Sequence, residues 1–251
     1  MKSLRFRLLC VPAFGLVLAC SSSSTAISNN GTPTGDGGAD GGDTPDASAA
    51  SSCTQAREAL LVPINKTATG TVSVVSDSGG TKTLYVDASA GGPNNAIKNA
   101  RIYVDLEAGA KVDVTDTTAP TSTAWDLALK RDKIFTNSGD AGAGMGGAAL
   151  IEKTFSAVNA SEANGASVLK EKFFDADCNP QLDQTQTVST TFDDWYDYDQ
   201  VTHIPTPKDV TYVVQGGTGK KYKVAITSYA GLADGGSGMA TGYYLLKVSA
   251  L

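Results

Sequence analysis

The sequence predicts a mainly β protein: a single antiparallel β domain with few short helices, preceded by a disordered tether. Three observations carry this. Short runs alternate apolar and polar residues with the period of two that puts one face of a strand inward. Glycine-rich turns separate those runs at regular intervals, as in all-β domains. Between the N-terminal leader and the first alternating run, residues 21–52 hold Ser, Gly, Asp, Thr, Asn and Pro and almost no large apolar side chain. Such a composition buries too little surface to offset the entropy of ordering.

Met1 to Ala19 begins with Lys2, Arg5 and Arg7 and continues into an apolar run, Leu8 to Leu18. This is a secretory leader, too short to span a bilayer as a mature helix. Val17-Leu18-Ala19-Cys20 looks like a bacterial lipobox. Residues 1–19 therefore read as a lipoprotein signal peptide, and Cys20 as the lipidated residue that anchors the chain to the membrane. An ordinary secretory leader followed by a chance cysteine is the alternative. Ser21 after the cysteine favours the outer membrane over retention at the inner one, by analogy with well-studied bacteria. Residues 20–52 form the tether, and 53–251 the β domain, large enough to bury a core.

The formal charge is −6 over 251 residues. Loss of the three basic residues of the leader takes it to −9, with 17 basic residues against 26 acidic. This disfavours a nucleic-acid partner, which needs a basic footprint. Cys10 leaves with the leader and Cys20 carries lipid, so Cys53 and Cys178 remain as an even pair in an oxidising compartment. A disulfide is the default reading.

Within the domain, Thr71 to Val75 and Thr83 to Asp87 alternate around Asp77-Ser78-Gly79-Gly80 and predict a hairpin. Ala100 to Leu106 predicts a third strand with Ile102, Val104 and Leu106 on one face, and Lys111 to Thr115 a short fourth. Trp125, Leu127 and Leu129 alternate with Asp126, Ala128 and Lys130, which places Trp125 in the core on the face of the leucines. Ile134 to Thr136 continues or pairs with that strand. A glycine-dense loop, 139–147, carries Met145. Ala148 to Phe155 reads as a strand, and Ser161 to Phe174 as the place for a short helix.

An aromatic-acidic box follows: Trp195, Tyr196 and Tyr198 among Asp193, Asp194, Asp197 and Asp199. Trp195 and Tyr198 are expected to face the core and the acids to be solvated. A ligand platform of Trp195, Tyr196 and Tyr198 is the alternative. Thr202 to Pro207 reads as a stiff connector. Val210, Tyr212 and Val214, then Tyr222, Val224 and Ile226, flank Gly216-Gly217-Thr218-Gly219 as a β-hairpin. A second glycine loop, 231–242, carries Met239, and Tyr243 to Val248 closes the sheet.

Two segments resemble the HmuY-like family of bacterial surface lipoproteins. One is Trp125-Asp126-Leu127-Ala128-Leu129-Lys130-Arg131 with Thr136-Asn137-Ser138-Gly139. The other is Trp195-Tyr196-x-Tyr198, then the histidine and prolines, then the strands through Tyr229. The resemblance covers roughly Thr71 to the C-terminus and implies that the two tryptophan segments are neighbouring pieces of one antiparallel body. Its best-known members bind haem, clamping iron from both sides with histidines or methionines.

The mature chain has one histidine, His203, and two methionines, Met145 and Met239. These are the candidate iron ligands, as a His203–Met145 or Met145–Met239 pair, although a lone histidine in a loop is commonly just a loop residue. None aligns with a known ligand position of the family, so the resemblance does not itself assign them. The expected partners are the membrane through the lipid, and haem or an outer-membrane receptor. The alternative is a cofactor-free envelope module contacting a protein or glycan.

Other motifs fail on context. Gly142-x-Gly144-x-x-Gly147 matches a dinucleotide fingerprint without the βαβ setting it needs. Asp175-x-Asp177-x-Asn179 lacks the later calcium-loop positions. No Gly-x-Ser-x-Gly elbow accompanies the single histidine, so no catalytic residues are assigned and the chain is read as a non-enzyme.

Overall fold

The structure, a computed structural model, describes residues 53–183 and 185–251. The leader, Cys20 and the tether lie outside these residues. Twelve strands, two short α-helices and two single-turn 3-10 helices form in the described part.

The first hairpin, β1 (Val72–Ser78) and β2 (Thr81–Asp87), turns at Gly79 and Gly80, both at positive φ, where glycine carries no Cβ penalty. β3 (Ile102–Asp105) and β4 (Ala110–Val112) follow, then β5 (Leu127–Lys130), β6 (Lys133–Thr136) and β7 (Gly147–Ile151). β8 (Tyr196–Tyr198) and β9 (Pro205–Pro207) precede β10 (Thr211–Gln215), β11 (Lys221–Ser228) and β12 (Tyr243–Ala250). The helices are α1 (Thr54–Leu61) and α2 (Ala160–Gly165).

The strands assemble into a six-stranded sheet ordered β1-β2-β12-β11-β10-β7, a four-stranded sheet ordered β4-β3-β5-β6, and the pair β8-β9. Neighbouring strands are antiparallel in all three. β12, the last strand in sequence, inserts between β2 and β11. It stitches the N-terminal hairpin to the C-terminal one rather than closing an edge.

Period-two alternation explains the packing. Leu84 and Val86 of β2, Val224 and Ile226 of β11, and Tyr244, Leu246 and Val248 of β12 point inward from the large sheet. Ile102, Val104, Leu127, Leu129 and Ile134 meet them from the small one. Each buried aliphatic side chain contributes roughly 1.5–3 kcal/mol.

The residues between them are buried as well. Tyr103, Ala128 and Phe135 face outward from the small sheet into a second cluster with Trp125, Phe173 and Phe174, against which Ala56, Leu60 and Leu61 pack. Val213 faces outward from β10 into a third cluster with Val158 and Ala163. Both outer faces are thus covered in part, which is why Leu127–Leu129 and Thr211–Val214 read as continuously buried runs.

Three expectations need correction. Trp125 is buried, but in the second cluster rather than with Leu127. It precedes the first residue of β5, so strand alternation does not reach it. The connector 202–207 contributes a strand: β9 pairs with β8, Tyr196 opposite Pro207 and Tyr198 opposite Pro205. Prolines are tolerated there because this two-stranded ribbon consists only of edges. The helix is confined to Ala160–Gly165 and starts at a capping box formed by Asn159 and Glu162.

Candidate functional site

The first motif folds into a buried polar hub joining the two sheets. The Asp126 carboxylate accepts from Leu106 N at 2.8 Å and from Gly217 N at 3.0 Å. One carboxylate thereby ties the end of β3 to the β10–β11 turn. Asn137 donates through Nδ2 to the carbonyls of Ser122 and Trp125 and accepts at Oδ1 from Gly144 N. Trp125 Nε1 donates to the Ala119 carbonyl at 2.9 Å. Glu171, also buried, accepts from the backbone N and hydroxyl of Thr136 and from those of Thr191.

Burial pushes the pKa of both Asp126 and Glu171 up, and the hydrogen bonds to their carboxylates oppose it. With every carboxylate oxygen committed to protein donors, the hub holds the fold rather than a ligand. It also accounts for the glycine string. A Cβ at Gly142 would sit 2.2 Å from Asn137 Oδ1, one at Gly144 2.7 Å from the Asn137 carbonyl, and one at Gly147 2.7 Å from the Leu169 carbonyl. The first two glycines admit Asn137 and the third the Leu169 backbone, not a pyrophosphate.

The second motif closes one end of the sandwich. Trp195 is buried and donates from Nε1 to the Asp132 carbonyl at the β5–β6 turn, 3.0 Å away. Its ring lies 4.6 Å from Tyr196, 5.2 Å from Tyr229 and 5.5 Å from Tyr244. The two tryptophans occupy different apolar clusters, but each is tied by its indole N–H within the same body.

Tyr198 is not core: it is 46% exposed. It ends β8 in the two-stranded β8–β9 ribbon, outside both large sheets, opposite Pro205. Nor are all the acids solvated. Asp193 and Asp183 both take the Lys133 ammonium, at 2.9 and 2.6 Å. Burial alone would raise the pKa of Asp183 and lower that of Lys133. Hydrogen bonds win: those from Lys133, Thr185 and Thr187 lower Asp183, and those to Asp183 and Asp193 raise Lys133.

The turn between β8 and β9 carries His203 at φ 58°. Asp199 stabilises this turn, accepting from the backbone N of Val201 and Thr202. Tyr198 Oη lies 3.0 Å from His203 Nδ1. In the tautomer that places the proton on Nδ1, the imidazole donates to the phenol oxygen and Nε2 keeps its lone pair. A metal-ligating histidine likewise donates its other ring N–H, to a carboxylate, a carbonyl or a water, which fixes its tautomer and orientation. Val201, 87% exposed, and Ile204 flank it.

Met145 lies elsewhere. It is 57% exposed, its backbone N donates to the Gly217 carbonyl, and its methyl group sits over Gly219 at the β10–β11 turn. Met239, 96% exposed, belongs to the β11–β12 loop at the far end of β11. The eight residues of β11 separate the two by roughly 25 Å. The β8–β9 hairpin meets the sheet at that far end, where Lys208 N donates to the Trp195 carbonyl and β10 begins. The structure therefore puts His203 and Met239 at one end and Met145 at the other. It brings together neither proposed pair, His203–Met145 or Met145–Met239.

The calcium-like string is self-satisfied: Asp175 accepts from the backbone N of Asp177 and Asn179 and from Asn179 Nδ2. Among the described residues no three His, Cys, Asp or Glu side chains converge on a metal position. Cys53 and Cys178 are joined by a disulfide, Cα–Cα 5.3 Å.

The family model for HmuY protein matches residues 98–244, more than half of the chain and inclusive of both tryptophan motifs. The chain belongs to the HmuY family. No match was found among curated proteins. Three solved structures are similar to this HmuY-family chain. One is a candidate lipoprotein from Bacteroides fragilis, with 16% identity, TM-score 0.44, and coverage of 70% of this chain and 92% of the other. Another is a candidate HmuY-like haem-binding protein from Bacteroides vulgatus, with 18% identity, TM-score 0.42, and coverage of 69% and 94%. A third is the apo form of an HmuY analogue from Tannerella forsythia, with 17% identity, TM-score 0.43, and coverage of 70% and 98%.

Sequence reading missed the roles of Glu171, Lys133 and Tyr244 in this HmuY-family fold. Tyr244 donates to the Arg131 carbonyl at 2.7 Å, and Arg131 in turn donates to Thr241. Charged residues in nondescript segments give no signal until the chain is folded. Tyr244 was legible only as one apolar position in an alternating strand.

Proposed function

We propose that the protein is a lipid-anchored, non-enzymatic HmuY-family protein of the outer membrane and cell surface that binds haem. Residues 1–19 are its leader, Cys20 its lipidated residue, 20–52 its tether and 53–251 its ligand-binding domain. The observation that supports haem binding is the Tyr198–His203 contact, which orients the one imidazole and, with the proton on Nδ1, leaves Nε2 for iron. Imidazole suits iron, and exposed Tyr198, Val201 and Ile204 offer apolar surface beside it. Met239, at the same end, is the thioether available as a second ligand. Tyr196 and Tyr198 are the aromatic surface a flat ligand could use, whereas Trp195 has no free face.

Haemin titration of the purified chain tests this. A saturable Soret shift at micromolar protein, altered in His203→Ala, supports the proposal; no shift and no stoichiometry reject it. A second reading, a cofactor-free module contacting an envelope protein or glycan, is favoured by the exposed Val201 and Met239. Recovery of a stoichiometric partner from outer membranes by a chain that does not take up haemin selects it.

A further inference from the structure

The outer face of the four-stranded sheet, away from the sandwich core, carries a cavity with its own chemistry. A cleft of about 220 Å³ lies between α1 and the outer side of the four-stranded sheet. Its apolar wall includes Leu61, Tyr103, Pro120 and Phe135, and two guanidiniums, Arg57 and Arg101, enter it.

The two arginines differ in how they are engaged. Arg101 pairs with Asp116 at 3.3 Å, donates to the Leu61 carbonyl at 3.1 Å and sits 4.9 Å from the Phe135 ring centre. Asp116 is fully committed, since it also accepts from Ile64 N, Arg101 N and the Tyr103 hydroxyl. Among the described residues the Arg57 side chain makes one hydrogen bond, from Nη2 to the Ala141 carbonyl at 3.0 Å. Asp140, whose charge acts on it, is occupied by the backbone N of Phe173 and Phe174, and Glu58, which also lines the cleft, is exposed to solvent. A guanidinium has five N–H donors in a planar fork. Burial lowers the pKa of Arg57, with Asp140 opposing. A partly desolvated cation with most of its donors unspent, beside aromatic and aliphatic walls, matches an anion with a flat apolar body.

We propose that this cleft binds a small aromatic or otherwise planar carboxylate, its carboxylate paired with Arg57 and its body against Tyr103, Pro120 and Phe135. The volume is below the range of drug-sized pockets, so the ligand is compact. A carboxylate fits the guanidinium fork with two parallel hydrogen bonds. The disulfide at Cys53, just before α1, holds the helix carrying Arg57 over the sheet. The site is separate from His203 and does not depend on haem.

The test is titration of the isotope-labelled full chain with benzoate, read at the amides of Arg57, Tyr103 and Ala141. Benzyl alcohol and inorganic phosphate serve as controls. Saturable benzoate shifts confined to the cleft are expected, with benzyl alcohol and phosphate at least tenfold weaker. Arg57→Gln should weaken benzoate binding at least tenfold, and Arg57→Lys should restore part of it, with the rest of the spectrum unchanged in both variants. No saturable shift at tens of millimolar benzoate, equal binding of phosphate, or undiminished binding by Arg57→Gln would overturn the proposal.

Discussion

At the scale of residues, two polar groups with opposite fates explain how the interior is specified. Asn137 is fully buried and makes three side-chain hydrogen bonds to backbone groups of two loops, 122–125 and 142–146. Its loss strands buried donors and acceptors, each costing about 1–3 kcal/mol. Asn137→Ala should therefore destabilise the domain by roughly 2–4 kcal/mol in a denaturant melt. Tyr212 is the contrast. Its ring stacks on Phe192 at 4.2 Å, yet its hydroxyl is buried with no partner among the described residues. Tyr212→Phe removes an unsatisfied group and keeps the stack, so stability should be unchanged or higher by about 1 kcal/mol. The motif around Trp125 was visible in the sequence, but not its purpose. Gly142, Gly144 and Gly147 look like a nucleotide fingerprint because close approach to any partner, here Asn137 and the Leu169 backbone, demands the same residue.

At the scale of elements, the parts that alternation describes were legible and the parts that ion pairs describe were not. The hairpins β1–β2 and β10–β11 follow from period two and glycine turns. The hairpin β8–β9 did not, because its prolines argue against a strand and only the pairing of Tyr196 with Pro207 reveals one. Lys133, at the start of β6, pins the segment 183–193 through Asp183 and Asp193. The Asp183 pKa is lowered from an ordinary 3.8, so its contribution to stability is present above about pH 4 and is lost as pH falls through the folded value. Acid titration of stability should show a steeper loss below pH 4 for the native chain than for Lys133→Met. Equal slopes would mean that the pair is not what holds this segment.

The disulfide is the other element-scale device. It links positions 125 residues apart, and closing so long a loop should contribute about 3–5 kcal/mol. No residue of α1 is fully buried, so reduction or the Cys53→Ser, Cys178→Ser double variant should lower stability by that amount. Amide exchange should rise first in α1. Exchange that stays unchanged in α1 while the sheets loosen would show that the bond serves the core instead.

At the scale of the whole molecule, two sheets enclose one core and each carries a further apolar cluster on its outer side. The sequence announced a single β body because its strands are short, regular and glycine-punctuated. It could not announce the insertion of β12 between β2 and β11, since strand order depends on pairing across some 160 residues, not on local pattern. The same limit applies to the candidate site. His203, Met145 and Met239 are equivalent as letters, and only topology sets Met145 about a strand length away from the other two.

Haemin titration followed through the Soret band, comparing the native chain with His203→Ala and Met145→Ala, is the most direct test. The account predicts saturable binding whose spectrum changes in His203→Ala and is unaltered in Met145→Ala. Binding that is absent in the native chain, or that survives the loss of His203 with an unchanged spectrum, contradicts it.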